Sequence, residues 1–273
     1  MRSLHGAVAL VTGASRGVGA ATAVALAEAG CAAVACAARS TMASPAPTPG
    51  TLDSTCAAVQ AAGAQALAVP TDLAHAPEVA AMVAATVAEF GRLDVLVNNA
   101  AITFPGDLAL FPERLALVLD VDLLAPVLAV QAALPYLRAS PLGGAVVNVS
   151  SAAAMTPFPG LMAYGMAKVG LERFTVDAAR QLAGDGVSVN CFRIDVPVAS
   201  EGFLAQAPEL DPSDWEPPAV AAEGIVWVLR QPPSFTGWRL SMAALRTSEG
   251  IMASRAQRTF APVLPTALAD GPG

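Results

Sequence analysis

Lysine occurs once in this chain of 273 residues, at Lys168, four residues after Tyr164, which is one of only two tyrosines. The other fourteen basic residues are arginine, a permanently charged planar fork, whereas lysine is a compact point charge. This bias predicts that position 168 requires an ammonium group. On a helix the two residues lie one turn apart on the same face. A cation there lowers a tyrosine pKa that starts near about 10, so Tyr164 is predicted to act as a general acid or base.

A glycine-rich segment near the N-terminus could hold a phosphate group. Between a predicted strand and a predicted helix the chain reads Thr-Gly-Ala-Ser-Arg-Gly-Val-Gly, residues 12–19. Glycines in such a turn let the backbone approach a pyrophosphate, whose charge the helix N-terminus stabilises. The predicted cofactor contacts from this segment are Gly13, Ser15, Arg16, Gly17, Val18 and Gly19.

Short apolar runs alternate with helical stretches, which is typical of βαβ units around a parallel sheet. The pattern predicts an α/β fold with a Rossmann-type doubly wound parallel sheet, in a single domain over residues 1–253. The predicted strands are Ala7–Thr12, Ala33–Ala38, Ala66–Val69, Leu93–Val97, Ala145–Val149, Val187–Phe192 and Trp238–Met242. The predicted helices are Val18–Ala29, Leu52–Ala62, Pro77–Phe90, Leu108–Leu137 with a bend at Pro126, Leu161–Leu182 and Val220–Leu229.

Three segments interrupt this alternation. Ser40–Thr51 contains three prolines and is predicted to be a surface excursion, longer than usual connections. Residues 195–218 are rich in proline and acidic residues and are predicted to form a mobile lid. Residues 254–273 are predicted to be a flexible C-terminal tail.

The motifs, taken in order, resemble those of the short-chain dehydrogenase/reductase family. The glycine segment has the family's Thr-Gly-x-x-x-Gly-x-Gly spacing, and four further matches follow in the family's order. These matches are Asp72-Leu73, Asn98-Asn99-Ala100-Ala101, Ser151 and Tyr164-Gly165-Met166-Ala167-Lys168. The resemblance extends over nearly the whole chain, from Val8 to Met242.

The resemblance implies an oxidoreductase that interconverts a carbonyl and a secondary alcohol with NAD(P). Tyr164 would donate a proton to the carbonyl oxygen in reduction and take it back in oxidation. Lys168 would hold the nicotinamide ribose and lower the tyrosine pKa, and Ser151 would hydrogen-bond the same substrate oxygen. Tyr164 and Lys168 would thus also contact the cofactor. The other implied cofactor contacts are Asp72, Leu73, Asn99, Ala100, Ala101 and Val196.

Three positions depart from the family pattern. Asp122 stands where the family usually has an asparagine that supports a water-linked proton relay to the lysine, and we count Asp122 among the candidate catalytic residues. Ala101 replaces a glycine, which is tolerable if its φ is negative. Ile194-Asp195 replaces the Pro-Gly that usually faces the nicotinamide, and Pro197 and Ser200 are expected to take over part of its function.

The end of the second predicted strand bears on the choice of cofactor. It reads Ala37-Ala38-Arg39-Ser40, with no acidic residue to hold an adenosine 2′-hydroxyl. Arg16 and Arg39 could bind a 2′-phosphate from two sides, and Ser40 is a further candidate contact. These residues predict NADP, with NAD as the alternative.

Several readings of the substrate and of the activity stay open. The proline-rich excursion and the missing Pro-Gly resemble the hydroxysteroid-dehydrogenase-like branch of the family. A 3-oxoacyl-carrier-protein reductase is the first alternative, although only scattered arginines such as Arg138 and Arg173 could meet an acidic carrier. A nucleotide-binding sensor or scaffold without catalysis is the second. An apolar small-molecule carbonyl or alcohol is the predicted substrate, on account of Met162, Phe203, Leu204 and Trp215.

Composition excludes other classes of protein. A net charge of −7 and a pI of about 4.8 leave no basic footprint for nucleic acid. The four cysteines and two histidines lack metal-ligand spacing, so no metal site is predicted and the cysteines are expected to be buried thiols in a reducing compartment. Hydrophobic residues make up 55% of the chain, but no uninterrupted apolar stretch reaches the roughly 18–20 residues of a membrane span.

The expected location is the cytoplasm, because the N-terminus has no signal-peptide pattern. The two long predicted helices, Leu108–Leu137 and Leu161–Leu182, carry more apolar surface than one sheet face can cover. With the resemblance, this surplus predicts a homodimer or homotetramer.

Overall fold

A parallel sheet lies at the centre of the computed structural model, which describes residues 1–206 and 209–258. Its seven strands are β1 Val8–Thr12, β2 Ala33–Ala38, β3 Gln65–Pro70, β4 Val95–Asn98, β5 Ala145–Ser151, β6 Ser188–Ile194 and β7 Arg239–Ser241. The strand order is β3-β2-β1-β4-β5-β6-β7, and every neighbouring pair is parallel. The order reverses between β1 and β4, and open α/β sheets bind ligands at the carboxyl ends of such strands.

Helices cover both faces of the sheet and produce two hydrophobic cores. They are α1 Gly17–Glu28, α2 Leu52–Ala61, α3 Ala76–Phe90, α4 Pro112–Leu119, α5 Ala125–Arg138, α6 Met162–Leu182, α7 Glu201–Gln206, α8 Pro218–Leu229 and α9 Met242–Glu249. One core lies under α1, α2 and α8, and the other under α3, α5 and α6. Successive residues of β1 face opposite cores, Ala9 and Val11 the first and Leu10 the second. The predicted doubly wound Rossmann-type sheet is confirmed.

The helix predicted over Leu108–Leu137 begins at Pro112 in the structure and ends at Arg138. A π-helical turn, Asp120–Leu124, separates α4 from α5. Pro126 lies two residues beyond this turn, and the helical backbone continues through it. Such wide turns are frequent at functional sites, and this one carries the fully buried Asp122 into contact with α6.

Among the described residues, one helical stretch, Pro112–Arg138, is long and apolar enough to cross a membrane by length and composition alone. In this fold the stretch packs against α3, α6 and the sheet, as a core helix does. Only 39% of the most apolar 18-residue segment of this stretch is buried inside the fold, so part of its apolar surface faces outward.

The predicted lid contains more regular structure than the sequence indicates, namely α7 and a short 3₁₀ turn at Pro212–Asp214. Asp195 accepts hydrogen bonds from the Ser241 hydroxyl and from the Ala243 N–H at 2.9 Å. These bonds anchor the start of the lid to the first turn of α9. The Val198–Glu216 pairing closes its base.

Part of the predicted tail is packed against the lid. The Arg255 N–H donates to the Glu216 carboxylate at 2.8 Å, and the Arg258 N–H donates to the Ser213 carbonyl at 2.9 Å. The rest of the predicted tail, residues 259–273, and residues 207 and 208 of the lid lie outside the described residues.

Candidate active site

Lys168 is only 2% exposed and lies at the centre of the candidate site. Its Nζ donates to the Val149 carbonyl at 3.1 Å and lies 4.0 Å from Oδ2 of Asp122. The centre of the Tyr164 ring is 5.3 Å from the same Nζ, because α6 presents both residues one turn apart on one face. A buried ammonium is costly unless it is paired and hydrogen-bonded, and the carbonyl and the carboxylate meet that requirement.

Asp122 is buried with one oxygen satisfied and one oxygen free. Its Oδ1 accepts the Ile102 N–H at 2.8 Å, whereas Oδ2 has no hydrogen-bond partner among the described residues. Burial raises the pKa of Asp122 to about 6, against the opposing effects of Lys168 and of the Ile102 N–H. The free oxygen faces the ammonium, so the charge of Asp122 acts directly on Lys168.

Ser151 is the last residue of β5, two positions beyond the carbonyl that holds Lys168. Its Oγ accepts the Ala153 N–H at 3.3 Å. The structure therefore brings the end of β5, the π-helical turn and the first half of α6 together around one point. Four of the predicted site residues lie on these elements: Asp122, Ser151, Tyr164 and Lys168.

A buried polar network that sequence reasoning missed supports this arrangement. Glu172 accepts a hydrogen bond from the Ser150 hydroxyl at 2.9 Å, and Arg193 donates to both of its oxygens at 2.8 and 2.6 Å. Glu172 holds the pKa of Arg193 above its ordinary value through this pairing. The network joins β5, α6 and β6 beside the candidate site. The spacing of Glu172, one turn after Lys168, was the signal available in the sequence.

The glycine segment forms a tight cradle between β1, β4 and α1. Gly13 has φ +66°, and a Cβ there would lie 2.7 Å from Cα of Ala100. A Cβ on Gly19 would clash with the Gly13 carbonyl oxygen. The Thr12 hydroxyl accepts the N–H groups of Asn99 and Ala100 at 3.0 and 3.1 Å, which fixes the end of β4 against this turn.

The cradle fits a dinucleotide phosphate, because α1 begins at Gly17 with no side-chain cap from Arg16 and no acidic residue in its first turn. Of the other predicted contacts, Ser15 and Val18 are buried beside it. The Gly17 N–H donates to the Glu201 carboxylate of the lid at 2.8 Å. Sequence reasoning missed this contact as well.

The proline-rich excursion folds back onto the glycine segment and engages Arg16. The guanidinium donates to the carbonyls of Thr48, Pro49 and Gly50 at 3.0, 2.8 and 3.1 Å. Ser40 is buried and its hydroxyl donates to the Gly50 carbonyl at 3.0 Å. In the structure Arg16 and Ser40 thus hold the excursion.

Arg39 is exposed and makes no hydrogen bond or ion pair among the described residues. Burial lowers the pKa of Arg16, and the charge of Arg39 lowers it further while Glu201 opposes the shift. The two arginines are therefore close enough to interact. Arg16, however, is bonded to the excursion, whereas Arg39 is exposed.

The remaining predicted cofactor contacts lie at the carboxyl ends of their strands. Asp72 follows β3, where its N–H donates to Glu78 at 2.7 Å and its carboxylate accepts the Ala74 N–H at 3.1 Å. Leu73 is partly buried against the core under α3, and the Val196 side chain is buried in the other core.

Ala101 has a negative φ, because Met252 is the one described non-glycine residue with positive φ. The replacement of the family's glycine by Ala101 is therefore tolerated by the backbone.

A cavity of about 450 Å³ opens beside the end of β5. Its lining combines Asp107, the segment 153–158 and the start of α6, including Met162 and Met166. Phe203 and Trp215 pack together in the lid with ring centroids 5.0 Å apart. Met162 lines this cavity, whereas Phe203 and Trp215 are not among its lining residues.

Comparison with known proteins identifies a family for this chain. The sequence profile described as short chain dehydrogenase matches residues 7–196. A 3-oxoacyl-[acyl-carrier-protein] reductase from Synechocystis sp. is 39% identical over 208 residues, which cover 75% of this chain and 77% of that protein.

Solved structures are similar to this chain over most of its length. The crystal structure of a protein from Xanthomonas campestris has a TM-score of 0.83 at 30% identity, with 96% of this chain and 98% of that one covered. A metagenomic short-chain oxidoreductase in complex with NADP has a TM-score of 0.72 at 30% identity, with 88% and 97% covered.

Proposed function

The chain belongs to the short-chain dehydrogenase/reductase family of oxidoreductases, and on that premise we propose that Tyr164 exchanges a proton with the substrate oxygen. The observation that carries this proposal is the burial of the only lysine, whose Nζ lies 5.3 Å from the Tyr164 ring. Helix α6 presents both side chains on one face. A tyrosine hydroxyl placed there is able to donate and accept a proton as a general acid and base.

The neighbouring residues would hold the substrate and the proton. The Ser151 hydroxyl would donate to the substrate oxygen and stabilise the charge that develops there. The Lys168 side chain, hydrogen-bonded to the Val149 carbonyl and 4.0 Å from Asp122, would hold the nicotinamide ribose. Asp122 acts through Lys168 and is a positioning residue. The bound nicotinamide cofactor supplies or accepts the hydride at the substrate carbon.

The family uses NAD or NADP, as solved structures with each cofactor illustrate, and we propose NADP for this chain. Arg39 supports the proposal, because it is exposed at the end of β2 with no hydrogen bond or ion pair among the described residues. Arg16 is already bonded to three carbonyl oxygens. Arg39 would therefore be the main contact to a 2′-phosphate, and Arg16 would hold the excursion beside it.

We propose an apolar small-molecule carbonyl compound as the substrate, because Met162, Met166 and Phe158 line the cavity next to β5. A 3-oxoacyl-carrier-protein thioester is the second candidate, favoured by the identity to the Synechocystis reductase. Two of the arginines that could meet an acidic carrier are already paired, Arg138 with Asp185 and Arg173 with Asp177. The hydroxysteroid-dehydrogenase-like branch remains a prediction from the sequence.

We propose one catalytic domain over residues 1–253 that acts in the cytoplasm as a homodimer or homotetramer. The continuous sheet from β3 to β7 supports the single domain. The unusual anchoring of Asp195 supports activity despite the missing Pro-Gly, because its carboxylate is bonded to α9.

The decisive experiment replaces each tyrosine in turn. Tyr164→Phe removes only the transferable proton, so it should fold, bind NADPH and lose about 10²- to 10⁴-fold in kcat. Tyr136→Phe is the matched control, because Tyr136 is the only other tyrosine and packs at the core under α5. NADPH oxidation would be followed with apolar ketones and with 3-oxoacyl thioesters on acyl carrier protein. Retention of turnover in Tyr164→Phe would refute the proposed role.

A further inference from the structure

The lid places a carboxylate on the backbone amide that opens α1. Oε2 of Glu201 lies 2.8 Å from the Gly17 nitrogen. The preceding residue is also close, since a Cβ on Gly17 would lie 3.1 Å from Cβ of Ser200. Two consecutive lid residues therefore rest on the glycine cradle.

The carboxylate occupies an electrostatically favourable position. The N-terminus of a helix carries a partial positive charge, and α1 has neither a side-chain cap nor an acidic residue in its first turn. Glu201 supplies the missing anion from a position 184 residues along the chain. The charge of Glu201 also acts to raise the pKa of Arg16, against the lowering by burial, and so favours the charged guanidinium.

A dinucleotide would need the same place. Its diphosphate binds to the first amides of the helix that follows a glycine-rich turn, and two anions at one helix N-terminus repel each other. Building on the proposed function, we propose that Glu201 is an internal competitor that occupies the diphosphate position and must be displaced when the dinucleotide binds. The competition weakens cofactor binding and couples it to movement of α7.

The anchoring of the lid restricts this movement to a short segment. Asp195 is hydrogen-bonded to α9. Glu216 forms an ion pair with Arg246 at 2.8 Å and accepts the Arg255 N–H at 2.8 Å. The base of the lid is thus held on both sides. Glu201 is exposed at the start of α7, so its carboxylate can leave Gly17 while the base stays in place.

The test measures cofactor affinity after the charge on Glu201 is removed. Glu201→Gln and Glu201→Ala should bind NADPH about three- to tenfold more tightly than the wild type in a fluorescence titration. Glu209→Gln is the matched control, because Glu209 is an exposed glutamate of the same lid, and its dissociation constant should not change. Binding of adenosine 2′-monophosphate, which has no diphosphate, should be equal in all four proteins.

The outcomes separate this inference from the function on which it rests. The competition would be overturned if both Glu201 variants bound NADPH with dissociation constants within twofold of the wild type. It would also be overturned if the variants bound adenosine 2′-monophosphate more tightly by the same factor as NADPH. Turnover that depends on Tyr164 would still support the proposed function in that case. If neither wild type nor variants bind NADPH or NADH, the proposed function fails and the competition fails with it.

Discussion

At the scale of single residues, the surroundings of Lys168 explain why one lysine persists among fourteen arginines. The ammonium is enclosed by the Val149 carbonyl, Asp122 and the Tyr164 ring. A planar guanidinium at this buried position could not keep the same point contacts. The composition of the chain and the geometry of the site therefore agree on what position 168 requires.

We expect Lys168→Arg to lose at least about tenfold in kcat, because one hydrogen bond to a charged group contributes roughly 1.5–3 kcal/mol. Steady-state kinetics with NADPH would measure the loss, and circular dichroism with thermal unfolding would verify that the variant folds. Arg173→Lys, an exposed exchange of the same two residue types on the same helix, should leave kcat unchanged. A folded Lys168→Arg enzyme with normal turnover would contradict the requirement for lysine.

Asp122 should make the stability of the protein depend on pH. Its pKa is raised from 3.8 to about 6 by burial, so the folded state binds the proton more tightly than the unfolded state. The resulting stabilisation is fully present below about pH 4 and is lost as the pH rises through about 6. Above pH 6 the buried carboxylate therefore costs stability.

Asp122→Asn should consequently be more stable than the wild type at pH 7.5, by about 1–3 kcal/mol. The difference should disappear below pH 4, where Asp122 is protonated in both states. Urea unfolding across this pH range would measure it, and the nearly isosteric side chain can still accept the Ile102 N–H. A less stable variant at pH 7.5 would mean that the attraction to Lys168 exceeds the cost of burial.

At the scale of elements, the connection between β2 and α2 is the most distinctive feature. Residues 40–51 form neither a helix nor a strand. Arg16 nevertheless bonds them to the glycine segment, and Ser40 closes the excursion on itself through the Gly50 carbonyl. The excursion is thus part of the proposed cofactor site. The two arginines near it have different surroundings, so their removal should have different effects.

We expect the wild type to bind NADPH more tightly than NADH. Arg39→Ala should reduce this preference about tenfold or more by weakening NADPH alone, because the exposed guanidinium would contact only the 2′-phosphate. Arg16→Ala should weaken both cofactors, since it releases the carbonyls of residues 48–50. Arg180→Ala, an exposed arginine of α6, is the control. Equal dissociation constants for NADPH and NADH in the wild type would refute the proposed preference.

At the scale of the whole molecule, large apolar side chains are exposed on the π-helical turn and on α6, which pack against each other. Leu124 of the π-helical turn and Met166 and Val169 of α6 are 49%, 50% and 52% exposed. Leu108, Phe111, Met155 and Phe158 add to the surface in neighbouring loops. Exposed large apolar side chains on neighbouring elements are typical of interaction surfaces, which supports the proposed association with a second copy of the chain.

The double variant Met166→Glu and Val169→Glu should shift the protein toward a monomer, because two buried charges would destabilise an apolar interface. Light scattering coupled to size-exclusion chromatography would measure the mass. Met42→Glu is the control, since Met42 is 73% exposed and lies in the excursion rather than on α6. A wild-type protein that is monomeric at micromolar concentration would contradict the proposal.

The sequence by itself determined the order of the strands along the chain, the glycine cradle and the pairing of Tyr164 with Lys168. These features depend on spacing within a few residues, where hydrophobic periodicity and turn chemistry act. The boundaries of most elements followed from the same local signals. The π-helical turn did not, because a proline six residues beyond Asp120 is equally compatible with a continuous helix.

Only the tertiary structure decided which distant groups meet. The free oxygen of Asp122 faces Lys168, Arg16 binds the excursion, and Asp195 holds α9. The contact between Glu201 and Gly17 joins residues 184 positions apart. Such pairings depend on how the packed elements orient their side chains, and no local pattern in the sequence carries that orientation.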